Sequence, residues 1–350
     1  MEIPFFDYPK LYSDHKQKLL EIFDATASKG AFIMQSDLQD FENNLSKYVD
    51  AYVLGVGNAT DALELLFHAK DIKENDEIIF CSHTMVATAS AIHFTGAKPI
   101  PVEVANDHLI DIDSIENAIT EKTVAICPTQ LNGRVADMDR ICDIANKYGL
   151  QIYEDSAQAL GARYKGQHAG TFGLASAISF YPAKVLGCLG DAGGILVNDK
   201  DLYHKIYQIH DHGRGMDGEV IRWGRNSRLD NIQAAILSFK LKTYDNVIKR
   251  RREIAQMYQD RLGLLEELQL PPAPSVDSDN FDIYQNYELQ ADNRDDLKTY
   301  LSKKNIGTLI QWGGKGIHQF KRLGFDQVLI DTERFFERCI MLPMNMFISD

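Results

Sequence analysis

Short apolar runs alternate with stretches of helical spacing along most of this chain. Residues 52–56, 77–81, 98–102, 123–127, 151–154, 175–180 and 194–197 read as strands. Helical patterns fall between most of them, most clearly at 60–70, 86–95, 112–119 and 139–148. Strands separated by helices require crossover connections, hence a largely parallel sheet covered by helices on both faces. Ligands of such sheets bind beyond the carboxyl ends of the strands. The pattern changes after Asp230. One long helix is predicted from Asn231 to about Leu265, with apolar positions at Ile236, Phe239, Leu241, Val247 and Ile254. It stops before Pro271-Pro272-Ala273-Pro274, which cannot continue a helix. Beyond it, 284–290 reads as a strand, 297–304 as a helix closed by Asn305 and Gly307, and 306–312 as a second strand. No internal repeat is visible. The expected organisation is a large domain over residues 1–245 and a smaller α/β domain over 246–350, joined by the extreme amino terminus.

Composition narrows the class. A chain of 350 residues, 45% hydrophobic and 25% charged, is long enough for about two packed domains. The net charge of -13 argues against a nucleic-acid partner, which would need clustered Lys and Arg. The run Lys249-Arg250-Arg251-Arg252 is the one dense basic cluster, and its helical setting reads as a solvated face. Five cysteines, an odd number without CxxC or Cys/His spacing, favour reduced thiols and a cytoplasmic home over a disulfide framework or a metal site. No signal-peptide pattern opens the chain, and no apolar stretch approaches the ~18 residues of a membrane span.

Four segments carry candidate chemistry. Gly55-Val56-Gly57-Asn58-Ala59-Thr60-Asp61 joins a strand to a helix; Asn58 and Thr60 can cap that helix, and its free amides can hold a phosphate. An ordinary capped corner would look the same, and no GxGxxG supports a dinucleotide. Gln151-Ile152-Tyr153-Glu154-Asp155-Ser156-Ala157-Gln158 delivers Asp155 at a strand end, either as a helix cap or as the partner of a protonated ring nitrogen. Ser179-Phe180-Tyr181-Pro182-Ala183-Lys184 places a lysine in a Gly-rich turn just past a strand, where burial can lower its pKa and free it to form an imine; an exposed lysine is the bland alternative. Asn226-Ser227-Arg228-Leu229-Asp230-Asn231-Ile232-Gln233-Ala234-Ala235 opens a helix, with Ser227 or Asp230 as a plausible cap.

In series, these segments resemble the DegT/DnrJ/EryC1/StrS family of sugar aminotransferases, from about Phe32 to Leu342. The resemblance rests on Glu154-Asp155-Ser156-Ala157-Gln158, on Ser179 through Lys184, and on Asn226 through Ala235. It implies fold type I, the aspartate-aminotransferase-like α/β fold with a mostly parallel seven-stranded sheet, and pyridoxal 5′-phosphate (PLP) as cofactor. It implies that Lys184 holds PLP covalently and carries the proton, that Asp155 faces the pyridine nitrogen, and that Gln158 lies near the ring hydroxyl. Ser179, Asn58, Thr60 and the amides around Ala59 would hold the phosphate, and Asn226 would reach the phosphate of a neighbouring subunit in a homodimer. The implied substrates are L-glutamate and a nucleotide-linked keto-sugar, with Tyr181, Arg228, Trp312, Lys315 and His318 as candidate sugar-nucleotide contacts.

The sequence departs from the family pattern at several places. Met85 stands where an aromatic usually stacks on the ring, Gln130-Leu131-Asn132-Gly133 replaces His-Leu-Tyr-Gly, Val185 replaces an Asn, and Ala59 and Ala192 replace frequent glycines. Gln130 is therefore expected near the cofactor in place of a histidine. The chain ends soon after Leu342-Pro343, which leaves a last helix of the small domain open. The segments His83-Thr84-Met85-Val86-Ala87-Thr88 and Pro99-Ile100-Pro101-Val102-Glu103 lean toward amination at C3 of a dTDP-linked 3-keto-6-deoxy sugar, with C4 amination open. The rival readings are a sugar 3-dehydratase, which would carry His at position 184, a cyclitol or aminoshikimate-type aminotransferase, and a non-catalytic regulator.

Overall fold

The computed structural model describes residues 2–215, 217–275 and 279–350. Two helices come first, α1 (Tyr8–Ala27) and α2 (Ser36–Val49). Strands β1 (Tyr52–Val56), β2 (Glu77–Cys81), β3 (Lys98–Val102), β4 (Thr123–Cys127) and β5 (Gln151–Asp155) then alternate with α3 (Ala59–Ala69), α4 (Val86–Phe94), α5 (Ile112–Ala118) and α6 (Met138–Tyr148). A short hairpin, β6 (Arg163–Tyr164) and β7 (Gln167–His168), precedes β8 (Ala175–Ser179) and β9 (Gly193–Val197). Helices α7 (Lys200–His210), α8 (Asn231–Leu241) and α9 (Tyr244–Leu262) follow. The remainder holds β10 (Leu268–Gln269), β11 (Asn280–Phe281), β12 (Tyr287–Ala291), α10 (Arg294–Lys303), α11 (Ile330–Arg338) and β13 (Cys339–Leu342).

The main sheet has seven strands in the order β1-β9-β8-β5-β4-β2-β3. The pairings β2–β3, β2–β4, β4–β5 and β5–β8 are parallel, and only those made by β9 are antiparallel. The strands read as unbroken apolar runs because both faces are covered. Ile79 and Ile126 point into one core with Phe41 of α2, Ile141 of α6 and Leu237 of α8. Their strand neighbours Phe80 and Ala125 point into the other, with Leu66 of α3, Ile92 of α4 and Ile206 of α7.

Beyond α8 the structure departs from the sequence expectation. The predicted long helix is two helices, broken at Lys242 and Thr243, where Thr243 leaves helical geometry at φ -119, ψ 13. No Gly or Pro marks this break. Packing supplies its reason: α8 stays against α2, where Asn231 Oδ1 accepts from Leu38 N at 2.8 Å, whereas α9 carries Ile254 and Ala255 onto a second sheet. That sheet is antiparallel, in the order β10-β12-β13. Residues 306–312 do not form the predicted strand. They make single bridges, Ile306 to Ile3 and Leu309 to Met341, and then a tight 3-10 turn, Gln311–Gly313. β12 pairs with β10 on one side and β13 on the other. The basic run is also not a solvated face: Arg251 donates to the carbonyls of Tyr284, Gln285 and Met344, and Arg252 to that of Asp282. No helix among the described residues is long and apolar enough to cross a membrane.

Candidate active site

The carboxyl ends of β4, β5 and β8, the start of α3 and the loop at 309–312 enclose a cavity of about 560 Å³. Asp155, the last residue of β5, faces it. Adjacent strand residues point to opposite faces, so Glu154 turns the other way and accepts from Gln130 Nε2 and the amides of Gly170, Phe172 and Gly173. Asp155 is buried without a cationic hydrogen-bond partner among the described residues. Its Oδ2 accepts from Thr88 Oγ1 at 2.6 Å and its Oδ1 from the Ala157 amide at 3.2 Å. Thr88 is oriented in turn by a hydroxyl chain through Thr84 to Thr129, each link 2.9 Å. Burial pushes the Asp155 carboxyl up, against the Thr88 and Ala157 bonds and the charge of Lys184.

Lys184 enters the same cavity from the turn after β8. Its amide donates to Tyr181 O at 2.8 Å. Gln285 clamps the peptides on both sides, its Nε2 donating to Ala183 O and its Oε1 accepting from Val185 N, both at 2.9 Å. The backbone is thus held while Nζ makes no hydrogen bond or ion pair among the described residues. Burial lowers the Lys184 ammonium to about 8, with Asp155 opposing. An amine of that pKa is a nucleophile and proton carrier near neutral pH.

The third wall is the amino terminus of α3. Asn58 caps it, its Oδ1 accepting from Asp61 N at 2.8 Å, and the first-turn amides of Ala59 and Thr60 have no intrahelical partner. Gly193 lets this turn approach β9, since a Cβ there would lie 2.4 Å from the Asn58 carbonyl carbon. Ser227 Oγ braces the turn, accepting from Gly57 N and donating to Asp61. Ser179 Oγ accepts from Tyr181 N at 3.3 Å and has its proton to offer to the cavity.

These residues fit PLP. A helix amino terminus with free amides suits a phosphate, the buried Asp155 lacks the cation that a protonated ring nitrogen would supply, and Lys184 offers an unpaired amine between them.

Of the residues singled out from the sequence, Asn58, Ala59, Thr60, Met85, Asp155, Gln158, Ser179, Tyr181, Lys184 and Trp312 line the cavity. Five do not. Gln130 is fully buried against Glu154, Met138 and the Ala136 amide, so it braces β5 from behind. Arg228 is spent on Asp211 at 3.1 Å. His318 is buried between Ser82 and Glu333. Lys315 lies beside Val86 and Phe320, on another surface depression. Asn226 is exposed on a bridge to Asp211, outside its own chain's cavity. The supports that the motifs did not reveal are Thr88, Asn132, Gln285 and Asn286, whose partners lie far away in sequence.

The profile of the DegT/DnrJ/EryC1/StrS aminotransferase family matches residues 13–350. The dTDP-3-amino-3,6-dideoxy-alpha-D-galactopyranose transaminase of Aneurinibacillus thermoaerophilus is 38% identical over 89% of this chain and 85% of its own length. The pleiotropic regulatory protein of Geobacillus stearothermophilus is 34% identical over 98% and 94%. The solved structure of S. venezuelae DesV in complex with a ketimine intermediate superposes with a TM-score of 0.94, at 32% identity, over 99% of this chain and 94% of that one. The chain therefore belongs to the DegT/DnrJ/EryC1/StrS aminotransferase family, whose cofactor is pyridoxal 5′-phosphate.

Proposed function

We propose that this chain moves the amino group of L-glutamate to the C3 keto group of a nucleotide-linked 6-deoxy sugar, for surface polysaccharide or a glycoside. The observation that carries the reading is the Lys184 amine, held at its backbone, free at Nζ and facing Asp155 across one cavity. PLP, when bound, supplies the electron sink that makes the α-proton of an amino acid removable. Lys184 Nζ would take that proton and carry it to the cofactor's C4′, which lies across the nitrogen from the α-carbon. Asp155, kept in place by Thr88, holds the ring nitrogen protonated. The amides of Ala59 and Thr60, with Ser179, anchor the phosphate. Met85, on the cavity wall, packs on the ring face, and Tyr181 and Trp312, on the same wall, face the sugar. The choice of C3 over C4 follows the Aneurinibacillus relative. The working form is a cytoplasmic homodimer, in which exposed Asn226 serves the partner's phosphate site.

The test is to incubate holoenzyme with L-glutamate and a dTDP-3-keto-6-deoxy sugar. One 2-oxoglutarate should form for each amino sugar. A deoxygenated sugar formed without glutamate would replace the reading with a dehydratase. No turnover with any keto-sugar, with PLP bound, would leave the regulatory role that one relative's name carries.

A further inference from the structure

Asn132 sits in the turn after β4 with left-handed geometry, φ 58 and ψ 8, which Asn tolerates better than most residues. Four of its hydrogen bonds reach three separate segments, and its carbonyl accepts a fifth from Asn286 N at 3.5 Å. Its amide donates to Gln158 Oε1 at 2.9 Å. Its Nδ2 donates to Glu288 Oε2 at 2.8 Å. Its Oδ1 accepts from Asn286 Nδ2 at 2.9 Å and from Gln311 Nε2 at 2.7 Å. Asn286 also reaches Gln158 Oε1 at 3.3 Å. The turn is pressed on the same segment that clamps Lys184: Ile283 N donates to Gly133 O at 2.9 Å, and a Cβ on Gly133 would lie 2.7 Å from Gln285 N.

The direction of this network is set at Glu288, a buried carboxylate on β12. Besides Asn132, its Oε2 faces His108 Nδ1 at 3.2 Å and His83 Nε2 at 3.5 Å. An ionised carboxylate only accepts. Asn132 must therefore turn Nδ2 toward Glu288 and Oδ1 toward Asn286 and Gln311. Asn286 then donates, and Gln158 Oε1 receives two donors. The Asn132 N–H already requires the Gln158 oxygen on that side, and the donor that Glu288 makes of Asn286 reinforces it, so Gln158 Nε2 is the donor left for the cavity.

We propose that Asn132 and Glu288 are positioning residues that fix Gln158 as a hydrogen-bond donor to the ring oxygen of PLP. The role rests on the PLP reading above, but it does not depend on which sugar is aminated. It makes the second sheet, which carries Glu288 on β12 with Asn286 just before that strand, part of the electronic control of a cofactor held by the first. It also places Gln311, and with it the adjoining Trp312, under the same constraint.

The test uses full-length holoenzyme and the variants Asn132→Gly, Glu288→Gln and Gln158→Ala. Glycine keeps the left-handed turn and the backbone bond to Gln158 while deleting the side-chain hub, so Asn132→Gly preserves the test if Glu288→Gln fails to fold. The readouts are the pH midpoint of the bound cofactor's visible absorbance, the PLP dissociation constant and the melting temperature. Losing one donor to the ring oxygen should raise the absorbance midpoint by about 0.5–1 pH unit. All three variants should shift in that direction, with Asn132→Gly and Glu288→Gln smaller than Gln158→Ala. A lower melting temperature with the native midpoint retained in Asn132→Gly would overturn the proposal and leave a purely structural network. An unshifted Gln158→Ala would overturn it as well. The midpoint needs only bound PLP, so these outcomes are distinct from a native enzyme that fails to transfer an amine.

Discussion

The Lys184 amine should titrate far below an ordinary lysine. Burial takes it from 10.5 to about 8. At pH 7.5 about one quarter of such amines are neutral, against about one in a thousand at the unperturbed value, a gain of roughly 200-fold in reactive base. The apoenzyme should therefore capture PLP at a rate that rises with pH and levels off just above 8. Asp155 is the opposing influence on Lys184, favouring the ammonium across the cavity. Asp155→Asn should move the midpoint lower still, so that capture at pH 6.5 becomes faster than in the native apoenzyme. Stopped-flow absorbance over pH 6–10 measures the profile, and mass spectrometry after borohydride reduction confirms that Lys184 is the residue labelled. A midpoint near 10, or a profile unaffected by Asp155→Asn, would refute the reasoning that burial and Asp155 govern this amine.

Asp155→Asn should keep the Thr88 bond and PLP binding but lower the transamination rate by about 100-fold or more, because a charge-stabilising group is removed from a dry site; single-turnover kinetics with glutamate decide it. Thr88→Val removes a donor to a buried carboxylate, so stability should fall by about 1.5–3 kcal/mol in urea titrations, and an unchanged midpoint would show that Thr88 does not hold Asp155. Gln285→Ala removes two bonds to the Lys184 turn and should cost about 2 kcal/mol while slowing the proton transfer; equal solvent isotope effects in variant and native enzyme would count against the clamp. Glu42, partly buried behind β1 and accepting from Gly55 N, is raised to about 7 by burial. Its folded form prefers the proton, so stability is lost as pH rises from about 4.5 to about 7, amounting to about 3 kcal/mol at most. Glu42→Gln should flatten the native melting curve over that window and stabilise the protein at pH 8; parallel curves for the two proteins would refute this.

The main sheet was legible because its strands are buried on both faces and its helices cross between them, so each run announces itself locally. That Asp155 and Lys184 would line one cavity was legible for the same reason: Asp155 ends β5 and Lys184 lies in the turn that follows β8. The break at Thr243 was not, since no Gly or Pro marks it and only the second sheet's demand on α9 explains it. Cys339–Leu342 was too short to stand out, whereas residues 306–312 read as a strand and form only single bridges. Gln130 was drawn to the cofactor by analogy with a histidine, yet its side chain points behind β5, where buried Glu154 needs a donor. His318 and Arg228 look like ligand residues in a linear motif, but folding gives each a nearby carboxylate. The Thr88 and Asn132 contacts connect residues 67 and up to 179 positions apart, a separation over which one sequence carries no pairing signal.

The most direct measurement is the absorbance of PLP-loaded protein on addition of L-glutamate alone. Amine transfer predicts complete conversion of the pyridoxal spectrum to that of pyridoxamine phosphate, with one 2-oxoglutarate released per site and no conversion in Lys184→Ala. A spectrum that stays unchanged while Lys184 demonstrably carries the cofactor would contradict the account.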